Sequence, residues 1–454
     1  MQLKDFFTKK MKDNEIVEFK SFIKLNRGNK KIVFLIVNDG SIFLDCQVVL
    51  KVEKIHNLDE VKNLKKNSVV KIIGKIKMTP EKPQPFEIEA ETIEILKECL
   101  SDSPLQKKDQ TMEFLRKNAH IRSETKIMNA IFRIRSASAF AIHKYFNENN
   151  YLYLNTPIIT QNDAEGAGET FFVNTEDSKG NLTTDFFDSK ATLTVSGQLH
   201  AEPFAQTLNK VYTFGPTFRA ENSNTTKHMA EFWMVEPEIS FFDIKDILIM
   251  SEEFLKYVIN YLLKNNVFEL EYLDNKNQGL LNKLKKIVSE KFKVITYKSA
   301  LEELKNAHKK GANFEFSNFE FGIDLQSEHE KFLTEEIFKK PVFVIDFPKK
   351  IKSFYMKQND DNQTVSAFDL LVPGIGELIG GSQREDDFDK IFNRCKELKI
   401  STKELEWYLN LRKNGYYMSS GFGLGFERLI MFVTNTNNIK DVIPYPRYSK
   451  NLQF

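Results

Sequence analysis

Residues 421–428 read Gly-Phe-Gly-Leu-Gly-Phe-Glu-Arg, a strand with glycine at alternate positions that runs into a helix bearing Arg428. Residues two apart on a strand share a face. Such a strand therefore clears one face of its sheet, and glycine there lets a ligand or another backbone come close. Residues 218–232 read Phe-Arg-Ala-Glu-Asn-Ser-Asn-Thr-Thr-Lys-His-Met-Ala-Glu-Phe: a strand ending at Arg219, a polar loop, and a strand resuming at Phe232. A nucleotide bent over a flat sheet needs such parts, two arginines for its phosphates and an aromatic plate for its base. Arginine suits phosphate because its planar fork binds bidentately and stays charged. Taken singly, each segment has an ordinary reading. Arg-x-Glu is a solvated ion pair of little worth, and a Gly-rich run is a turn or bulge.

At 454 residues the chain exceeds one ordinary core, which predicts two or three domains. The 65 basic and 63 acidic residues leave a net charge of +2, so any nucleic-acid surface must be local. Cys46, Cys99 and Cys395 are far apart and offer neither metal-ligand spacing nor a disulfide framework. The histidines form no zinc-like cluster. The N-terminus is charged without an apolar run, and no stretch reaches membrane-spanning length. A cytosolic protein without a membrane partner is expected.

Residues 1–14 read as a short leading helix or tail. Residues 15–97 are rich in strand signals at 32–37, 41–52, 69–78 and 86–96, separated by turn residues. About five short strands in this length suit an OB-fold barrel, a common binder of single-stranded nucleic acid. The predicted organisation is a barrel domain over 1–100, a polar linker over 101–125 and a larger domain over 126–454. In the last, Ile127, Ile131, Ile134 and Ala141, with the small Ser138, share one face of a helix that ends at Asn149-Asn150. A strand over 151–159 follows, then mostly strand over 190–241. Helices are expected at 245–265 and 279–310, in a helical insertion spanning about 245–340, and strands return at 341–347 and 365–383. The basic stretch 349–352 reads as solvated. The fold class is α+β: an N-terminal barrel followed by an antiparallel sheet flanked by helices.

Taken together with Thr156-Pro157 upstream, the two opening segments resemble motifs 1, 2 and 3 of the class II aminoacyl-tRNA synthetases. The likeness sharpens in Gly215–Glu238, in Val195-Ser196-Gly197-Gln198-Leu199, in Gly374-Ile375-Gly376-Glu377, in Gly380-Gly381-Ser382-Gln383-Arg384-Glu385 and in Asp441–Arg447, which resemble the asparaginyl-tRNA synthetase family. That resemblance implies a ligase. Asparagine reacts with ATP to give asparaginyl-adenylate and pyrophosphate, and the acyl group then passes to tRNA(Asn). It implies ATP and Mg²⁺, and a homodimer joined through motif 1. Arg219 would hold the α-phosphate and the substrate carboxylate, and His228 and Arg428 the outer phosphates. Phe232 would stack on adenine with Arg428 opposite, and Gly425 and Glu221 would line the ATP site. Glu377, with Asp369, would bind the metal. Glu165, Ser196 and Gln198 would take the amino acid, Arg384 its amide oxygen and Glu221 its amide NH₂. Arg27, Phe34, Gln47 and Glu87 match positions that read the anticodon. A strand phenylalanine is also a common core residue, so Phe34 carries both readings.

Three departures bear on specificity. Ala201 stands where aspartate-specific relatives place a lysine, and Gly197 replaces their proline; without that cation, selection for a second carboxylate weakens. Met418-Ser419 stands where the family usually has Pro-His, and Lys227 replaces an arginine. The alternatives are an aspartyl-tRNA synthetase, possibly non-discriminating, a non-charging RNA-binding paralogue, and an asparagine synthetase on the same core.

Overall fold

The computed structural model describes residues 1–29, 31–51, 53–82, 84–105, 110–162, 170–183, 186–222 and 225–454. Two compact units emerge, residues 1–117 with 124–129 and residues 118–123 with 130–454.

The first unit is a closed five-stranded barrel of β1 (Ile16–Gly28), β2 (Ile32–Asn38), β3 (Cys46–Lys51), β4 (Val69–Met78) and β5 (Phe86–Lys97), in the order β1-β2-β3-β5-β4. Period-two alternation builds it. In β2, Val33, Leu35 and Val37 point inward, while Ile32, Phe34 and Ile36 are only half-buried. Leu3 and Phe6 of a short leading helix join this core, with Phe6 edge-on to Phe19 at 5.3 Å. The expected strand over 41–52 is shorter, because Asn38 donates to the carbonyls of Ile42 and Leu44 and holds that segment as a turn.

The second unit is built on an eight-stranded sheet. Its strands are β6 (Leu152–Tyr153), β7 (Lys210–Phe218), β8 (Glu231–Ser240), β9 (Lys293–Thr296), β10 (Val342–Pro348), β11 (Thr364–Val372), β12 (Gly376–Gln383) and β13 (Ser419–Gly425). Their order is β9-β10-β11-β12-β13-β8-β7-β6. The six central strands are antiparallel, and the two edge pairs, β9 with β10 and β7 with β6, are parallel. The sheet is thus mixed at its margins rather than wholly antiparallel.

The predicted helix appears as Lys126–Glu148, with Ile131, Ile134, Ser138 and Ala141 buried. The strand over 151–159 is two short pieces instead, Leu152–Tyr153 and Ile159–Thr160. The run over 190–241 is interrupted by the helix Gln198–Leu208, whose buried Leu199, Ala201, Glu202 and Ala205 follow a 3.6-residue period. The helix expected over 279–310 is divided by β9, where Lys293-Val-Ile-Thr296 pairs with β10. Among the described residues, no helix is long and apolar enough to cross a membrane.

Candidate functional site

Two cavities abut on the face of β8, β12 and β13. One is lined by Arg219, Glu221, His228, Phe232, Gly425 and Arg428. The other is lined by Ser196, Gln198, Glu236, Tyr355, Asp369 and Arg384. Arg219, Met234, Glu377 and Gly423 line both.

Strand chemistry places these groups. Phe232, Met234, Glu236 and Glu238 lie two apart on β8 and share its face. Arg219 follows the last residue of β7, its amide donating to the carbonyl of Ala230 at 3.0 Å. Its guanidinium lies 5.4 Å from the centre of the Phe232 ring. Arg428 projects from the first turn of the helix Phe426–Thr434 and donates to Glu377 at both the backbone carbonyl (3.0 Å) and Oε2 (3.2 Å). Phe232 and Arg428 line the same cavity.

The His228 imidazole accepts or donates at Thr225 Oγ1, 2.7 Å away. Partial burial lowers its pKa, and Arg428, Arg219 and Lys227 add to the effect. Lys227 donates to the carbonyl of Ile375 at 2.6 Å and to Ser327 Oγ at 3.3 Å, which ties the loop between β7 and β8 to the turn before β12.

The carboxylates between the cavities differ in charge support. Lys352 grips both oxygens of Asp369, at 3.0 and 2.9 Å. Burial pushes Asp369 up to about 6, with Glu377 adding to the shift and Lys352 opposing it. Burial acts the same way on Glu377, but Arg428, Lys352 and Arg219 together hold its pKa below the ordinary value. The stretch 349–352 is therefore not simply solvated: Lys352 is half-buried and lines the second cavity. Among the described residues, no three His, Cys, Asp or Glu side chains form a group able to hold a metal. Mg²⁺ does not require one, since it takes one or two carboxylates and completes its shell with substrate phosphates and water. Asp369 and Glu377 fit that role. Glu377→Gln is expected to raise the Mg²⁺ needed for half-maximal activity by about tenfold or more. An unchanged Mg²⁺ titration would remove Glu377 from the metal site.

At the far end of the second cavity, Arg384 is buried and forks onto Glu238: Nε donates to Oε2 at 3.0 Å and a terminal nitrogen donates to Oε1. Another terminal nitrogen donates to Ser382 Oγ at 2.8 Å, and the guanidinium lies over Tyr355 at 5.2 Å. Burial raises Glu238 to about 7 even against Arg384. Gly421 is required here, because a Cβ on it would meet Glu238 Oε1 at 2.3 Å. At Gly421 and Gly423 the cleared face is thus filled by Glu238 and Met234, whose Cε would lie 2.7 Å from a Cβ at 423.

Ser196 Oγ donates to Glu236, and the amide of Gly197 donates to Glu236 Oε2 at 2.9 Å. The side-chain nitrogen of Gln198 is buried with no hydrogen-bond partner among the described residues. A buried orphan of this kind is costly unless a ligand meets it. Ala201 packs with Ala205 and Val211, so no cation stands at that position. Glu221 lies in the first cavity, at the opposite end from Arg384, and the acceptor beside Arg384 is Glu238. Glu165 lies outside the described residues. Sequence reasoning overlooked Glu236, Glu238 and Lys352. The alternation of Phe232, Met234, Glu236 and Glu238 was the signal for the two glutamates.

The barrel carries the remaining candidates. Arg27 on β1 is exposed and directly opposite Phe34 on β2. Gln47 on β3 donates to Glu87 Oε1 on β5 at 2.9 Å. All four side chains lie on the outer face of four adjacent strands. Phe34 lies outside the barrel core. A half-buried aromatic on the outer face beside an arginine suits base stacking. Phe34→Ala is expected to lower tRNA charging about 5–100-fold while amino-acid activation is unchanged. Lower activation with a lower melting temperature would mark Phe34 as structural instead.

The family profile described as tRNA synthetases class II (D, K and N) matches residues 111–449, and that of the OB-fold nucleic acid binding domain matches residues 15–96. The asparagine–tRNA ligase of Mycoplasma mycoides is 55% identical over 96% of this chain and 96% of its own. That of Mycoplasma capricolum is 54% identical over the full length of both. Among solved structures, asparaginyl-tRNA synthetase from Pyrococcus horikoshii complexed with asparaginyl-adenylate superimposes with a TM-score of 0.86 at 32% identity, covering 97% of this chain and 96% of that one.

Proposed function

Since the chain belongs to the asparagine–tRNA ligases, within the class II tRNA synthetases of the D, K and N group, we propose that its two abutting cavities form one site for making and transferring asparaginyl-adenylate. The observation that carries this reading is the sharing of Arg219 and Glu377 by a cavity lined by His228, Phe232 and Arg428 and a polar one lined by Ser196, Gln198 and Arg384. A reaction joining two substrates needs their reacting atoms at such a junction.

In the first step a carboxylate oxygen of asparagine attacks the α-phosphorus of ATP. A new oxygen–phosphorus bond forms, the α–β bridge breaks and pyrophosphate leaves. In the second, the terminal hydroxyl of tRNA(Asn) attacks the acyl carbon and AMP leaves. No protein nucleophile is needed, so catalysis is positioning and charge stabilisation. Arg219 holds the α-phosphate at the junction. His228 and Arg428 face the outer phosphates, and Phe232 takes the adenine. Glu377 and Asp369 would hold Mg²⁺, which neutralises charge on the phosphates. Arg384, oriented by the buried Glu238, donates to the amide oxygen. Gln198, whose amide presents its oxygen by a half-turn, takes the ammonium; Ser196 lines the same cavity, and Glu165 is proposed to share this role. Arg27, Phe34, Gln47 and Glu87 read the anticodon. The neutral apolar surroundings of Ala201 and the close relatives disfavour the aspartyl alternative. We place the activity in the cytoplasm, where tRNA charging serves protein synthesis.

A homodimer through Lys126–Glu148 is also proposed, supported by the exposed Phe140, Leu152 and Tyr153 on that helix and the adjoining edge strand. Light scattering at micromolar concentration should give twice the chain mass; a monomer would overturn this. The reading as a whole is tested by ATP–pyrophosphate exchange with asparagine and aspartate, with and without Mg²⁺. Mg²⁺-dependent exchange with asparagine alone is expected. Exchange with aspartate, or silence with both, would overturn it.

A further inference from the structure

Glu202, in the helix Gln198–Leu208, is completely buried yet lines neither cavity. A buried carboxylate is costly unless it is paired and hydrogen-bonded. Glu202 is both. Its Oε1 accepts from an Arg412 terminal nitrogen and from the Tyr416 hydroxyl, each at 2.6 Å, and its Oε2 accepts from the Tyr408 hydroxyl at 2.6 Å. The Arg412 guanidinium is held between the Tyr408 and Tyr416 rings, at 4.3 and 4.1 Å.

This cluster reaches the backbone around Arg384 from two sides. The Tyr416 hydroxyl meets Ser419 Oγ at 2.5 Å, and the Ser419 carbonyl accepts from the amide of Arg384 at 2.8 Å. Arg412 Nε donates to the carbonyl of Glu385 at 2.9 Å, and the Glu385 amide donates to the carbonyl of Tyr355, the ring beneath Arg384. Within the cluster itself the charges pair one to one. Two guanidiniums, Arg384 and Arg412, face two carboxylates, Glu238 and Glu202. A neutral amide leaves that balance intact, whereas a second substrate carboxylate would be buried against Glu238 without a cation of its own.

We infer that Glu202, Arg412, Tyr408, Tyr416 and Ser419 form a positioning cluster that fixes Arg384 and thereby sets the preference of the pocket for an amide over a carboxylate. This rests on the asparagine reading above. Ser419 and the Tyr416 hydroxyl together supply the contact that holds the Arg384 strand in register.

The test is exchange kinetics of the full chain with asparagine and with aspartate, for the wild type, Tyr416→Phe, Ser419→Ala and Glu202→Gln. Tyr416→Phe and Ser419→Ala are expected to raise KM for asparagine about 3–10-fold, with KM for ATP and kcat unchanged. Glu202→Gln is expected to shrink the asparagine-to-aspartate ratio of kcat/KM by about tenfold or more. The first two variants each remove one oxygen and keep the packing, so the test stands even where Glu202→Gln fails to fold. Unchanged KM and ratio in those two, or an equal loss towards both amino acids and ATP, would overturn the inference alone. A wild type silent with asparagine would overturn the underlying reading and the inference together.

Discussion

Arg219→Ala is expected to lower asparagine-dependent ATP–pyrophosphate exchange by about 10²–10³-fold. Arg219 is the cation common to both cavities, and in the proposed mechanism it meets the charge that develops as the α-phosphorus is attacked. Its guanidinium lies against Phe232, so it is pre-oriented and needs little reorganisation during reaction. Arg219→Lys should recover only part of the loss, because an ammonium cannot present the planar fork. The fall should appear mainly in kcat, as for an interaction made in the transition state. Binding of tRNA to the barrel should be unaffected. Near-normal exchange in the alanine variant would remove Arg219 from the mechanism.

Glu238→Gln acts at the other end. The wild-type pair is fully buried, with Arg384 2% and Glu238 0% exposed. Removing one charge leaves Arg384 unneutralised, a change that costs about 3–5 kcal/mol in buried pairs. The expected result is a fall of about 10²–10³-fold in kcat/KM for asparagine. Aspartate should fare relatively better, since its carboxylate now meets an unpaired guanidinium. A lower melting temperature should accompany this. Parallel kinetics with the two amino acids decide the matter: an unchanged ratio would show that Glu238 supports the fold without reading the substrate.

The first cavity was legible because its chemistry is written in short contiguous segments. Arg219, His228, Phe232, Gly425 and Arg428 come from two stretches of chain, and strand pairing brings those stretches together as the motifs imply. The amide end was less legible because its partners meet only through the sheet. Arg384 on the segment after β12 meets Glu238 on β8, 146 positions away. Glu221, expected at the amide, lies beyond the end of β7 and lines the cavity of Phe232 and Arg428 rather than that of Arg384. Lys352 looked like a surface charge because composition cannot show that Asp369 lies opposite it. The division of 279–310 by β9 was hidden for a similar reason. Four residues of strand gain their stability from a neighbour, β10, that lies about 50 positions downstream.

The common wall formed by Arg219, Met234, Glu377 and Gly423 has a consequence for ligands. A molecule that fills one cavity presents its other end to the second at a high effective concentration, because no linker has to search for it. A stable mimic joining an amide-bearing head to an adenosine through an uncleavable bridge should therefore bind about 10²–10⁴-fold more tightly than either half. Its two halves added separately should show no such gain, since each then surrenders its own freedom of motion on binding.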